Sequence, residues 1–137
     1  MRQRFALARV ARLASVDAAG RPHLVPLCFT LEDERLYSAV DQKPKRTPQL
    51  RRLRNVAAHP QVSLLADAYD EDWDRLWWVR ADGQARVLES GEERERALEL
   101  LAAKYPQYRA QPPLGPVLVV EVERWSGWSA RQPPVEL

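Results

Sequence analysis

The sequence is short of cysteine, of histidine and of long apolar runs, and each shortage removes a class of protein. A single cysteine, Cys28, cannot close an internal disulfide. With only His23 and His59 beside it, there are too few soft ligands for a structural zinc site, so no metal is expected. No stretch approaches the roughly eighteen apolar residues a membrane helix needs. Arginines at positions 2, 4, 9 and 12 break up the start, so no signal-peptide core is expected there, and the expected location is the cytoplasm. Excess charge of one sign is missing as well: 21 Lys+Arg face 19 Asp+Glu. A dedicated nucleic-acid binder carries a strong basic surplus, so that function is not expected.

What is present is enough apolar material, 45% of 137 residues, for one folded domain spanning 1–137. Residues 2–8 suit a short helix. Val10–Val16 then reads as a strand apolar enough to be buried on both faces, followed by the turn Asp17-Ala18-Ala19-Gly20. His23 to Leu31 reads as a second strand with Pro22 at its start, and Leu36 to Val40 as a third beyond the turn at 32–35, a meander. Thr47-Pro48 opens a helix with a hydroxyl cap and an early proline. Leu50, Leu53, Val56 and Ala57 form its expected apolar stripe, which leaves Arg51, Arg52 and Arg54 on the surface. Val62–Ala68 and Arg75–Leu88 read as strands, the latter bent or bulged at Asp82-Gly83. Ser90 and Glu93 have capping-box spacing for a helix ending near Tyr105-Pro106. Residues 110–116 read as a stiff linker, Val117–Val122 as the last strand, and the remainder as an irregular tail. The expected fold is mainly β, with six strands and flanking helices.

The densest chemistry is "KPKRTPQLRRLR", six cationic side chains from Lys43 to Arg54. Lys43, Lys45 and Arg46 precede a helix N-terminus, where free N–H groups and the helix dipole add to side-chain charge. That combination suits a phosphate or carboxylate; the competing reading is a set of ordinary solvated loop cations. A membrane-surface role does not follow, because the basic helix is short and its apolar face is needed for the core. Nor do Ser15, Ser38 or Cys28 have a recognisable base and orienting partner, so no nucleophile is expected and no catalytic side chain can be named. Five tryptophans are many for a small monomer to bury, which points to an interface; Trp125 and Trp128 are seam candidates, or caps on the open end of a barrel.

Taken together, "ARLASVDAAGRPHLVPLCF", "LYSAVDQKPKRTPQLRRLRNVAAHPQVSLL" and "WWVRADGQARVL" resemble the pyridoxamine-phosphate-oxidase-like split β-barrel flavoproteins. The resemblance runs from residue 8 to about 125 and is closest to the branch that uses the deazaflavin coenzyme F420. It implies a six-stranded split β-barrel, a homodimer, and a cofactor held in a groove at the subunit interface. Carried over to this sequence, Pro26 lies near the ring, Ser38 and Val40 line the adjacent strand, and Lys43, Lys45 and Arg46 hold the phosphate. Trp77 and Trp78 sit on alternating faces of one strand, so one walls the groove while the other packs in the barrel or seam; Trp77 is carried as the groove residue. The chain's end has Arg131 but no histidine, which departs from the members that oxidise pyridoxamine phosphate.

The function this resemblance implies is hydride transfer between coenzyme F420 and a small conjugated or heteroaromatic substrate, with the protein supplying placement and polarity. Two alternatives stay open: an FMN-binding reductase or oxidase of the same fold, and a dimer that binds a flavin or haem without turnover.

Overall fold

The computed structural model describes residues 1–40 and 47–131, with backbone alone for 47–50. The elements in chain order are α1 (Arg2–Leu7), β1 (Ala11–Val16), β2 (Pro22–Leu27), β3 (Thr30–Glu32), β4 (Arg35–Ala39), α2 (Thr47–Ala58), β5 (Gln61–Ala68), β6 (Trp77–Leu88), α3 (Glu92–Lys104), α4 (Pro106–Ala110) and β7 (Val117–Ser129). A single 3-10 turn, Trp73–Arg75, sits between β5 and β6. All seven strands join one antiparallel sheet in the order β2-β1-β5-β6-β7-β4-β3.

Seven strands replace the expected six because the stretch from His23 to Leu31 breaks at Cys28-Phe29. Its first part pairs with β1, whereas Thr30–Glu32 pairs with β4 at the opposite edge of the sheet. Two hairpins at opposite edges thus stand where a meander was expected. The β1–β2 turn is closed by Gly20 at φ 86°, a region open to glycine, and by Asp17, whose carboxylate accepts from Ala19 and Arg21 N–H. β7 continues to Ser129, seven residues past the expected end, because its second half pairs with β6 through Trp77↔Ser129. The register shift falls at Asp82/Gly83, where a bulge was one of the two sequence readings. A Cβ on Gly83 would run into the backbone carbonyl of Glu121, so glycine is required there.

One apolar cluster draws Leu13, Leu27, Leu36, Leu64, Val79 and Leu118 from six strands, so the sheet curls around a shared core. Phe5 of α1 enters it against Phe29 and Trp125, at ring separations of 5.0 and 5.3 Å. β1 is buried on one face only: Ala11, Leu13 and Ser15 point inward, and Arg12 is exposed, contrary to the two-faced burial expected. Above the other half of the sheet, Ala97 and Leu101 of α3 pack near Tyr37, Val117, Val119 and Ala39. Gly91, at φ 104°, is the N-cap of α3, and Ser90 does not cap it. Glu93 turns instead to Arg86 and Tyr37, so the capping-box reading fails.

α2 also differs from its expected stripe. Arg52, Asn55 and Val56 face inward, and Ala57 is exposed. The inward face is partly polar because Asn55 Nδ2 donates to Ser15 Oγ at 3.1 Å inside the fold. Arg52 is consequently buried, at 9% exposure, rather than on the surface.

Candidate functional site

The buried arginine leads to a cavity of about 260 Å³ lined by Val10, Pro26, Leu27, Cys28, Ala39, Arg52 and Tyr108. β2 and the adjoining Cys28 supply one wall, the end of β4 a second, and Val10, α2 and α4 the rest. Apart from Arg52, the cysteine thiol and the Tyr108 phenol, the described lining is apolar. A guanidinium in such surroundings is suited to an anionic group or to the electron-rich edge of a polar ring, by forked hydrogen bonds.

The walls are tied down from behind. Ser38, almost fully buried on β4, donates from Oγ to the Cys28 carbonyl at 2.7 Å, which fixes the crossing from β2 to β3. The Tyr105 hydroxyl accepts from Phe29 N–H at 3.1 Å, and has the carbonyls of Arg9 and Phe29 in reach of its own proton, at 2.9 and 3.1 Å. Burial raises its pKa. Beside it, Lys104 donates to the carbonyls of Ala6 and Ala8 and lies 3.9 Å from the Phe29 ring centre. Burial, helped by the neighbouring Arg9, brings its ammonium down to about 8. At the end of β4, Val40 is buried and its N–H donates to the Pro116 carbonyl at 3.0 Å.

The sequence-derived candidates are therefore dispersed. Pro26 lines the cavity, Ser38 acts on its wall through Cys28, and Val40 is held behind the segment at 115–116. Trp77 lies elsewhere: with Arg4, which stands 5.4 Å from its ring centre, it lines a cavity of about 500 Å³ beside the β5–β6 loop. Lys43, Lys45 and Arg46 lie outside the described residues. Arg52 and Tyr108 were missed as site residues; the pair Arg52 and Asn55, spaced i and i+3, was the available signal for a polar inward face. A third cavity, of about 760 Å³, opens between the β1–β2 turn and α2, with Arg21, Arg51 and Arg54 around it.

Among the described residues no group of His, Cys, Asp and Glu is arranged to hold a metal ion. No described helix is long and apolar enough to cross a membrane. A flat polar ring fits the first cavity in chemistry: apolar walls for its faces, a buried cation for its edge. Its volume lies below the roughly 300–1,000 Å³ usual for small-molecule sites, so the described walls alone would enclose only part of a nucleotide-sized cofactor.

The sequence profile of the family described as Pyridoxamine 5'-phosphate oxidase matches residues 1–129. Among solved structures, the fold is similar to that of a conserved hypothetical protein of Mycobacterium tuberculosis (20% identity, 95% of this chain and 84% of that one, TM-score 0.73). It is also similar to an FAD-binding protein of Mesorhizobium loti (22%, 92% and 87%, TM-score 0.69). A heme storage protein of Vibrio cholerae shares it as well (17%, 89% and 86%, TM-score 0.70). No curated protein matches the chain in sequence.

Proposed function

Because the chain belongs to the pyridoxamine 5'-phosphate oxidase family, we propose that it is an oxidoreductase working through a ring cofactor, with the deazaflavin coenzyme F420 as the first reading. The single observation that carries a cofactor role is the largely apolar cavity with Arg52 buried in its wall. Bound there, such a ring supplies two-electron hydride transfer to a small conjugated or heteroaromatic substrate. Pro26, Val10 and Leu27 would exclude water from the ring's face, and Arg52 would hold an electron-rich edge. Ser38, through Cys28, keeps that wall in place. Lys43, Lys45 and Arg46, just ahead of α2 in sequence, would take the phosphate end.

The chain would act as a homodimer with the cofactor between subunits. Two observations favour this: the small volume of the cavity, and the outward face of β2, β1, β5 and β6. Leu24, Leu65 and Trp78 stand on that face, whereas the buried side chains of α1 and α2 pack into the inner core. FMN is the second reading, favoured by the similarity to an FAD-binding fold neighbour. Similarity to a heme storage protein raises storage without turnover, but neither histidine lines the Arg52 cavity to supply a nitrogen ligand.

The test is a titration with oxidised F420 and, separately, FMN and haem, read by tryptophan fluorescence. Micromolar or tighter quenching by F420 alone supports the first reading; binding of FMN alone moves the second to its place. Haem binding alone would replace both, and response to none removes the cofactor role. Reversal of Lys45→Glu and Arg46→Glu is expected to abolish binding of the phosphate-bearing cofactor, and unchanged affinity would remove those residues from the site.

A further inference from the structure

Strand β5 carries opposite features at its two ends. At the Gln61 end lies the groove between the β1–β2 turn and α2, lined by the exposed side chains of Ala18, Ala19, Ala57 and Ala58 and by the buried Asn55. Its only carboxylate, Asp17, is engaged by Arg21 at 3.4 Å, while among the described residues Arg51 and Arg54 face no carboxylate. At the Ala68 end is the β5–β6 loop, from which Tyr69 and Trp73 project at 67% and 68% exposure, joined by the Trp73 Nε1 bond to the Tyr69 hydroxyl. Three of the five carboxylates between 67 and 74 have arginine partners: Asp67 with Arg12, Asp70 with Arg75, and Asp74 with Arg131. Glu71 and Asp72 have none among the described residues. Among the described residues, two anions without an arginine partner thus stand beside a large exposed aromatic at one end, and two cations without a carboxylate partner around an alanine-lined groove at the other. At about 3.3 Å per residue the eight residues of β5 keep them some 25 Å apart, too far to meet within one chain.

We propose that the occupant of the groove is the β5–β6 loop of a second copy, with Trp73 seated on the alanines and Glu71 and Asp72 facing Arg51 and Arg54. This rests on the homodimer reading above and adds its geometry. Two copies packed through their outward sheet faces can have the two-fold axis along the strands or across them. An axis along β5 sets acid beside acid; an axis across it sets each loop over the partner's groove, twice per dimer, as an isologous interface requires. Charge complementarity selects the second arrangement, and like charges penalise the first.

The experiment is sedimentation velocity on the full chain at low and high salt, with circular dichroism and thermal unfolding as controls of folding. The wild type is expected to dimerise, more weakly as salt rises. Arg51→Glu with Arg54→Glu, and separately Glu71→Lys with Asp72→Lys, should each raise the dimer dissociation constant tenfold or more. All four changes in one chain should return it to within about threefold of wild type. Trp73→Ala, an exposed position that leaves the fold intact, should weaken the dimer at least fivefold and serves if a reversed chain does not fold. A monomeric wild type overturns the dimer reading and this one together. A wild-type dimer indifferent to the reversals and to Trp73→Ala, or weakened by both reversals without rescue, overturns the loop-in-groove contact and leaves the dimer standing.

Discussion

Arg52 is buried and Arg86 is half-buried, and their surroundings differ as well. Arg86, on β6, gives two hydrogen bonds to Glu93 at 3.0 Å each and one to Glu121 at 2.7 Å. Arg35 approaches the same two carboxylates at 3.4 and 3.1 Å, and the Tyr37 hydroxyl donates to Glu93 at 3.1 Å. The cluster joins the first turn of α3 to β4, β6 and β7, and every charge in it has a built-in answer. Arg52 lines a cavity whose other described walls are apolar apart from the Cys28 thiol and the Tyr108 phenol. A cation ringed by carboxylates ties strands together, whereas one buried in the wall of a largely apolar cavity borders whatever enters it. The contrast gives the two arginines different expected phenotypes.

The Arg86 cluster depends on Gly83. The bulge there sets Gln84 opposite Glu121, which leaves Arg86 two residues along on the same face and diagonal to it. Gly83→Ala drives a Cβ into backbone and should cost about 3 kcal/mol of folding stability, read by urea unfolding. Stability within 0.5 kcal/mol of wild type, on the order of an ordinary surface change, would mean the strand crossing relaxes freely. A crossed pair of substitutions sharpens the contrast. Arg52→Met keeps the apolar stem and should weaken cofactor binding about 10–100-fold, at about 1.4 kcal/mol per decade. Arg86→Met should leave that affinity unchanged and cost about 1 kcal/mol of stability, since the side chain is partly exposed and Arg35 still serves both carboxylates. Equal effects of the two on binding would dissolve the distinction.

How much of this was legible beforehand depends on how local the signal was. The elements around Gly20, Thr47-Pro48 and Asp82-Gly83 followed from local chemistry, and each stands near its expected place. The break at Cys28-Phe29 was not legible, because both halves are apolar; which edge each joins is decided by tertiary pairing and by Ser38 and Tyr105. The second half of β7 looked like a tail because Arg124, Ser126 and Gly127 interrupt its apolar pattern, although β6 pairs with it throughout. Arg52 was misjudged for the opposite reason: a charged residue in a basic run reads as surface, and only the inward Asn55 betrays the polar face. Pro26, carried over from the family resemblance, lines the cavity, whereas Tyr108 falls between the helix expected to end near Tyr105-Pro106 and the linker expected from 110.

Acid acts on the Arg86 cluster. Its guanidinium is the largest influence holding both Glu93 and Glu121 below their ordinary 4.5. Between those lowered values and 4.5 the unfolded chain binds more protons than the folded one, so this stabilisation is complete above about 4.5 and is lost as pH falls through the folded values. Thermal unfolding from pH 7 down to 3 should show the wild type losing stability more steeply than Glu93→Gln; parallel curves would remove Glu93 from the acid response.

The smallest expected effect lies at the alkaline end, behind the Arg52 cavity. Lys104 is lowered to about 8 from 10.5, chiefly by burial and then by Arg9. Between those two values the unfolded chain holds a proton the folded chain has released, so this group alone makes stability rise with pH from about 8 to 10.5. The Ala6 and Ala8 carbonyls and the Phe29 ring favour the charged amine and pull the other way, which keeps the slope shallow. Lys104→Met removes the titration, so the difference between its unfolding curve and the wild type's should change over pH 8 to 10.5 and be flat from 6 to 7. A difference flat over both ranges would mean that the carbonyls and the ring outweigh burial, and that the wall behind the cavity carries a fixed charge like Arg86.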